Sequence, residues 1–148
     1  MSPSVPDPHD LMRFVRAQDP VWDAVRAELR AGAKRTHWMW FVFPQLRGLG
    51  RSETARRYGI ASADEARAYL DHPVLGDRLR GVTLLVLAHP NRSLRSILGS
   101  PDDLKFVSSM TLFDAVAECE TSEPFGRALG QWCDGARDAA TLRLLADA

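Results

Sequence analysis

The sequence predicts an all-α fold, a single-domain bundle of about eight short helices packed at steep angles. Apolar residues recur at intervals of three and four along most of the 148-residue chain, which is the spacing of one helix face. Helix start signals precede these runs, whereas alternating apolar and polar runs and Asn-Gly turns are missing. Residues 38–43 could form a strand, but one strand cannot make a sheet. We therefore predict one helical domain over residues 7–148, after a flexible tail of residues 1–6.

Aspartate-proline pairs mark the first two helices. Asp7 and Asp19 are favoured N-cap residues. Pro8 and Pro20 then occupy the first helical position, where a backbone N–H has no partner in any case. The second helix ends at Gly32, because glycine readily adopts the left-handed conformation that closes a helix.

Serine caps and a proline mark the middle helices. Ser52 is a candidate N-cap for a helix that follows a glycine-containing loop. Ser62 and Glu65 form a capping box, in which each side chain bonds the backbone N–H of the other residue. Pro73 begins the next helix.

The second half of the chain contains a short helix, a long helix, a helix that carries Phe125, Leu129 and Trp132, and a final helix. Thr121 or Ser122 would cap the third of these. Residues 93–98 form the short helix, which ends at Gly99. Residues 100–103 begin the long helix, and Asp138 caps the final one. Four residues mark the buried face of the long helix: Phe106, Met110, Phe113 and Ala117.

Composition excludes several protein classes. The chain is 45% hydrophobic and 26% charged, with 19 basic and 19 acidic side chains, as in ordinary globular domains. Its apolar runs are far shorter than the ~20 residues that span a bilayer, and residues 1–10 lack the features of a secretory signal. Cys119 and Cys133 are the only cysteines, and we expect both to be small buried side chains. We expect a cytoplasmic protein that does not bind membranes.

Basic residues are concentrated in residues 26–57, which carry eight basic and two acidic side chains. On a chain of zero net charge, such a segment favours a local anion site over the broad basic face that binds nucleic acid. We therefore do not expect nucleic acid as the partner. The alternative is that these residues only form solvated helix faces.

The first candidate site combines aromatic rings with cations. Stacking surfaces beside fixed cations suit a ligand with a flat ring and a negative group, because the ring gains dispersion contacts and the arginine binds the anion. Free backbone amides at the start of the Ser52 helix would add to an anion site. The candidate ligand-binding residues here are His37, Trp38, Trp40, Gln45, Arg47 and Arg51. The alternative is that the aromatic residues belong to the core.

The second candidate site lies at the start of the long helix. Asp102, Lys105 and Ser109 share one helix face. Ser108 stands where a buried helix would carry an apolar residue, and such a side chain either bonds a helix carbonyl or lines a ligand cavity.

A reaction at this second site would use three candidate catalytic residues, Asp103, Lys105 and Ser109. A desolvated lysine can activate a serine, and an aspartate can act as the base or nucleophile of a hydrolase or N-glycosidase. The alternative is that the aspartates only stabilise the first turn of the helix. No oxyanion hole is identifiable.

The sequence contains no recognisable metal or cofactor motif. The four histidines are scattered, and HExxH, calcium-loop, P-loop and nucleophile-elbow patterns are missing. We therefore expect neither a metal nor a cofactor.

Four runs of the sequence resemble a known family: residues 35–50, 58–60, 66–76 and 101–113. This family is the bacterial domain of unknown function 1810, at times mislabelled as calpastatin, and the match is close to a mycobacterial member. The resemblance covers residues 7–145 and implies a mainly helical single domain. It implies no particular activity.

Two functions follow from these observations. In the first, the candidate residues form a polar and aromatic pocket for a phosphorylated or nucleotide-like small molecule, and the protein is a binding protein or an enzyme. In the second, a non-enzymatic interaction module docks an acidic protein or nucleic acid through residues 26–57. The first requires the two candidate segments to converge, and the second requires one exposed basic patch. The oligomeric state does not follow from the sequence.

Overall fold

A computed structural model of the chain describes residues 7–117, 124–133 and 136–147, without the side chains of Cys133 and Asp147. The described residues form helices joined by short connections and contain no β-strand, which confirms the predicted all-α class. The helices are α1 (Met12–Gln18), α2 (Trp22–Arg30), α3 (Met39–Val42), α4 (Glu53–Arg57), α5 (Ala63–Asp71), α6 (Leu75–Leu87), α7 (Leu94–Leu98), α8 (Asp102–Val116), α9 (Phe125–Cys133) and α10 (Ala139–Asp147). The predicted tail, residues 1–6, Cys119 and the candidate caps Thr121 and Ser122 lie outside the described residues.

The first helix begins at Met12, later than the predicted start at Pro8. The Asp7 carboxylate does cap the chain, but it accepts hydrogen bonds from the backbone N–H groups of Leu11 and Met12, at 2.7 and 3.0 Å. An extra turn therefore separates the cap from the helix. The second predicted start is a 3₁₀ turn, Asp19–Val21, that leads directly into α2.

Most of the predicted helix ends are confirmed. The side chains of Ser52, Ser62 and Asp138 each accept a hydrogen bond from the backbone N–H three residues later, at 3.0 to 3.2 Å. Gly32 and Gly99 follow α2 and α7 with φ values of 69° and 82°. These are the left-handed conformations that favour glycine.

One half of the predicted capping box differs. The Glu65 carboxylate accepts from the backbone N–H of Ala61 at 3.1 Å and pairs with Arg13 of α1, and it does not bond the Ser62 N–H. Glu65 is buried, so its charge requires a partner. That partner is 52 residues away in sequence, which a local motif does not show.

The segment of residues 38–43 contains helix α3 (Met39–Val42) and no strand. The N–H groups of Phe41 and Val42 both bond the carbonyl oxygen of Trp38, as in a helical turn. Trp38, Met39 and Val42 are buried, while Trp40 and Phe41 are half-buried. Trp38, which precedes the helix, therefore lies in the core, whereas Trp40 within the helix remains partly exposed.

Helix α8 lies at the centre of the core and packs against α5, α7, α9 and α10. The Phe106 ring packs on Phe43 with centroids 5.1 Å apart, and the Phe113 ring packs on Tyr69 and Phe125 at 5.3 and 5.9 Å. Each such buried ring stabilises the fold by roughly 2 kcal/mol. Among the helices described, none is long and apolar enough to cross a membrane.

A single β-bridge joins Leu46 to Ile60. The Arg47 N–H donates to the Ile60 carbonyl at 2.8 Å, and the Ile60 N–H donates to the Gln45 carbonyl at 2.9 Å. The bridge closes a loop, residues 47–59, that carries helix α4 on the surface. This loop positions the candidate site.

Candidate anion-binding site

An open cleft of about 660 Å³ lies between α1, the turn before it, and the loop of residues 47–59. Five arginines line this cleft: Arg13, Arg16, Arg47, Arg56 and Arg57. Only two carboxylates, those of Asp10 and Glu65, lie among them. We call this feature the arginine cleft.

Arg13 holds the arginine cleft together. Its guanidinium group has five N–H donors, and each makes a hydrogen bond. The acceptors are the Glu65 carboxylate and the carbonyl oxygens of His9, Asp10, Arg57 and Gly59, at 2.6 to 3.1 Å. Arg13 therefore joins the turn before α1, the end of α4 and the start of α5, and has no donor left for a ligand.

The other four arginines of the cleft are exposed. The guanidinium groups of Arg16 and Arg56 have no hydrogen-bond or ion-pair partner in the part of the chain that the structure describes. Arg47 donates one bond, to the Gly59 carbonyl at 3.3 Å, and Arg57 lies over a ring, 5.5 Å from its centroid. That ring is Tyr58, which also lines the cleft. Most of the donors of these four side chains are thus available to an anion.

A second, smaller cavity lies between α3, α4 and α8 and has about 10 Å³ of free space, enough for one water molecule. Its wall includes three predicted site residues, Trp40, Gln45 and Lys105. The Lys105 ammonium lies 4.8 Å from the centre of the Trp40 ring and 3.7 Å from the Asp102 carboxylate. Tyr58 lines this cavity as well as the arginine cleft. We call it the tryptophan cavity.

Trp38 was also predicted to bind a ligand, but its ring is 1% exposed and belongs to the core. Its Nε1 donates to the Glu28 carboxylate at 3.1 Å, and the Lys34 ammonium lies over its ring. Burial raises the pKa of Glu28, but hydrogen bonds from Arg35, Thr36 and Trp38 lower it by more, so this pKa lies below its ordinary value. The pair of Trp38 and Glu28 therefore stabilises the fold and presents no open ring face.

Two further predicted ligand-binding residues, His37 and Arg51, are exposed. Neither lines the arginine cleft or the tryptophan cavity. Ser108 is buried, and its hydroxyl donates to the Leu104 carbonyl at 3.2 Å and to the Asp138 carboxylate at 3.3 Å. The structure therefore does not bring these three residues to the cleft or the cavity.

The three predicted catalytic residues do not form one group. Ser109 is fully buried, and its hydroxyl has no hydrogen-bond partner among the described residues. Asp103 is half-buried with one carboxylate oxygen enclosed and unpartnered, and it lines neither the cleft nor the cavity. Lys105 pairs with Asp102 and makes no bond to Ser109. The residues that the structure describes include no group of three His, Cys, Asp or Glu side chains that could hold a metal ion.

Of the five arginines that line the cleft, the sequence predicted Arg47 as a ligand-binding residue and did not predict the other four. Arg13 and Arg16 are three residues apart on α1, and the α4 arginines belong to the basic segment of residues 26–57. The concentration of basic residues in that segment was therefore a sequence signal for the α4 arginines. What the sequence could not show is that the Arg13 side chain of α1 reaches the end of α4.

The helical fold and its basic cleft belong to a chain that matches the model of a protein family of unknown function. The chain is a member of DUF1810, described as a protein of unknown function, whose family model matches residues 8–145. It is similar to the conserved hypothetical protein Rv1873 from Mycobacterium tuberculosis, a crystal structure, with 54% sequence identity and a TM-score of 0.91. That likeness covers 95% of this chain and 99% of the other. No curated protein matches the chain. The resemblance predicted from the four sequence runs is confirmed.

Proposed function

We propose that the protein binds a phosphorylated or nucleotide-like small molecule and holds its phosphate groups in the arginine cleft. One observation carries this proposal. Four exposed arginines, Arg16, Arg47, Arg56 and Arg57, line one concave surface, and Asp10 is the one carboxylate of that surface that is not already paired with Arg13.

Phosphate is the anion that this arrangement suits best. Guanidinium groups bind phosphate oxygens through paired, charge-assisted hydrogen bonds. Four like charges on one concave wall repel each other, and a bound polyanion relieves that repulsion. The volume of about 660 Å³ lies in the range of sites for small organic ligands and exceeds what one phosphate fills.

The geometry supports binding more than it supports a reaction. Of the three candidate catalytic residues, Lys105 lines the tryptophan cavity, whereas Asp103 and Ser109 line neither this cavity nor the arginine cleft. A serine nucleophile needs a base within hydrogen-bond distance, and Ser109 has no partner of any kind among the described residues. We therefore propose a binding function and assign no hydrolase or glycosidase step.

The alternative, docking of an acidic protein or nucleic acid through residues 26–57, is less well supported because these basic side chains do not share one surface. Arg26 and Arg30 line a separate groove between α2 and α6. The Lys34 side chain is 7% exposed and pairs with Asp102 at 2.9 Å. The two arginines of α4 line the arginine cleft.

The test is calorimetric titration of inorganic pyrophosphate into the wild-type protein and into the double variant Arg16→Gln, Arg56→Gln. Each lost charge-assisted contact is worth about 1.4 kcal/mol, which is tenfold in the dissociation constant. We expect binding that weakens at least tenfold in the double variant and also weakens as salt is raised. The matched control is Arg26→Gln, Arg30→Gln, which removes the same charge from the other groove and should leave binding unchanged. Lack of pyrophosphate binding, or equal affinity in both double variants, would overturn the proposal.

A further inference from the structure

We infer that the tryptophan cavity receives the planar ring of the same ligand, so that the substrate class is a nucleotide whose phosphates lie in the arginine cleft. This inference rests on the proposed function and adds a second subsite to it. The ring would enter between α3 and α8 when helix α4 moves outward.

The two sites are neighbours that share part of their walls. Tyr58 lines both the arginine cleft and the tryptophan cavity. Gly59 lines the cavity, and its carbonyl oxygen accepts hydrogen bonds from Arg13 and Arg47, two residues of the cleft. Tyr58 and Gly59 therefore form the wall between the two sites. This suits a molecule in which a ring and phosphates are joined by a short linker.

The wall of the tryptophan cavity has the chemistry that a nucleobase requires. Trp40, Phe43 and Tyr58 supply aromatic surface, and aromatic side chains stack on the face of any base. Gln45 is half-buried, and its side-chain amide has no hydrogen-bond partner among the described residues. An amide carries both a donor and an acceptor, so it can pair with the polar edge of a ring. The Lys105 ammonium adds a further donor.

Helix α4 covers the cavity and is the least buried part of its wall, held at its end by the hydrogen bond from Arg13 to the Arg57 carbonyl. None of its five residues is buried, and Ala55 is the α4 residue that lines the cavity. The bridge between Leu46 and Ile60 joins both ends of the loop, so a shift of α4 has to loosen the hydrogen bonds from Arg13 to the loop carbonyls and does not require the core to open. Because the free space in this structure admits one water, entry of a ring requires this shift.

The same movement links the two subsites. Ala55 lines the tryptophan cavity, whereas Arg56 and Arg57, the next two residues of α4, line the arginine cleft. Phosphates that contact Arg56 and Arg57 therefore bind the same short helix that covers the cavity. Phosphate binding and ring binding are coupled through one short helix.

The experiment compares ligands with and without a ring. Calorimetry measures the dissociation constants of pyrophosphate and of ADP, GDP, CDP and UDP for the wild-type protein and for Gln45→Leu. We expect the tightest of the four nucleotides to bind at least tenfold more tightly than pyrophosphate. In Gln45→Leu this advantage should fall at least fivefold, while pyrophosphate binding changes less than twofold. The control Trp22→Phe, in the groove between α2 and α6, should leave all affinities unchanged.

Tryptophan fluorescence gives a second readout. The tightest nucleotide should quench the emission, pyrophosphate should not, and the quenching should be absent in Trp40→Phe. If pyrophosphate binds and no nucleotide binds more tightly, or if Gln45→Leu weakens both ligands equally, the ring subsite is wrong and the phosphate site stands. If pyrophosphate itself does not bind, the proposed function fails and the ring subsite fails with it.

Discussion

Arg13 of α1 and Glu65 of α5 form an ion pair with 2.7 Å between guanidinium nitrogen and carboxylate oxygen, and both side chains are nearly enclosed, at 10% and 4% exposure. The remaining donors of Arg13 bond four carbonyl oxygens around the arginine cleft. The nearly enclosed guanidinium group of Arg13 therefore fixes the backbone around the cleft, including that of Arg57, one of the exposed arginines.

Glu65→Leu should destabilise the fold by roughly 3 kcal/mol, because it leaves the Arg13 charge buried without a counter-ion. Urea unfolding followed by circular dichroism measures this. The double variant Arg13→Met, Glu65→Leu should recover part of the loss, since no unpaired charge then remains. A single variant within about 0.5 kcal/mol of wild type would show that the pair does not organise the cleft.

Ser109→Ala should leave stability unchanged or raise it by up to about 1 kcal/mol, because the buried Ser109 hydroxyl has no partner to lose. Thr111→Val is the matched variant on the same helix. The Thr111 hydroxyl donates to the Val107 carbonyl at 2.8 Å and accepts from the Asp138 N–H at 2.9 Å. Its loss should therefore cost about 1–3 kcal/mol in chemical unfolding. Equal losses of unfolding free energy in the two variants would contradict the finding that the Thr111 hydroxyl is hydrogen-bonded and the Ser109 hydroxyl is not.

Glu28→Gln should reduce stability at pH 7 and have a smaller effect at pH 3. The pKa of Glu28 in the fold lies below its ordinary value of 4.5. A lowered pKa means that the folded state binds the proton less readily than the unfolded state does. The stabilisation is therefore fully present above pH 4.5 and is lost as the pH falls through the folded-state value. Urea unfolding of both proteins at the two pH values measures this, and a difference that does not depend on pH would refute it.

Gly59→Ala should weaken pyrophosphate binding and destabilise the fold. A Cβ at this position would lie 2.8 Å from the Cα and Cβ of Arg47, so the backbone under the arginine cleft must shift. Gly81→Ala is the control, because a Cβ there meets nothing within 4 Å and the residue lies inside helix α6. This control should be stabilised by about 0.5–1 kcal/mol. Thermal unfolding and calorimetry measure both effects, and normal pyrophosphate affinity in Gly59→Ala would count against the site.

Amide hydrogen exchange should be fast in α4 and slow in α8. Helix α4 has no buried residue, whereas α8 is the centre of the core, and exchange from weakly packed helices needs only local opening. Pyrophosphate should slow exchange at Arg56 and Arg57. If the amides of α4 exchange as slowly as those of α8 in the free protein, the cover of the tryptophan cavity is rigid. The proposed outward movement of α4 is then wrong.

Local signals in the sequence predicted much of the fold. Ser52, Ser62 and Asp138 cap their helices because a cap needs only a side chain and a backbone three residues away. The role of Arg13 was not predictable in this way, since two of its carbonyl acceptors and its carboxylate partner are more than forty residues distant. Its function depends on how α1 packs against α5.

The candidate site was predicted in part. Trp40, Gln45 and Lys105 were selected from two separate segments, and the structure places them on one cavity wall. Trp38 was selected by the same reasoning but belongs to the core. In a helix of 3.6 residues per turn, side chains two positions apart point in nearly opposite directions. The sequence did not show that Met39–Val42 forms a helix, so it could not show which tryptophan faces inward.

The most direct test of the central claim is a nuclear magnetic resonance titration that observes the arginine side-chain Nε–Hε signals as pyrophosphate is added. We expect the signals of Arg16, Arg47, Arg56 and Arg57 to shift together along one binding curve. The Arg13 signal should stay in place, because its five donors already have acceptors. Shifts confined to Arg26 and Arg30, or the lack of any saturable shift, would contradict a phosphate site in the arginine cleft.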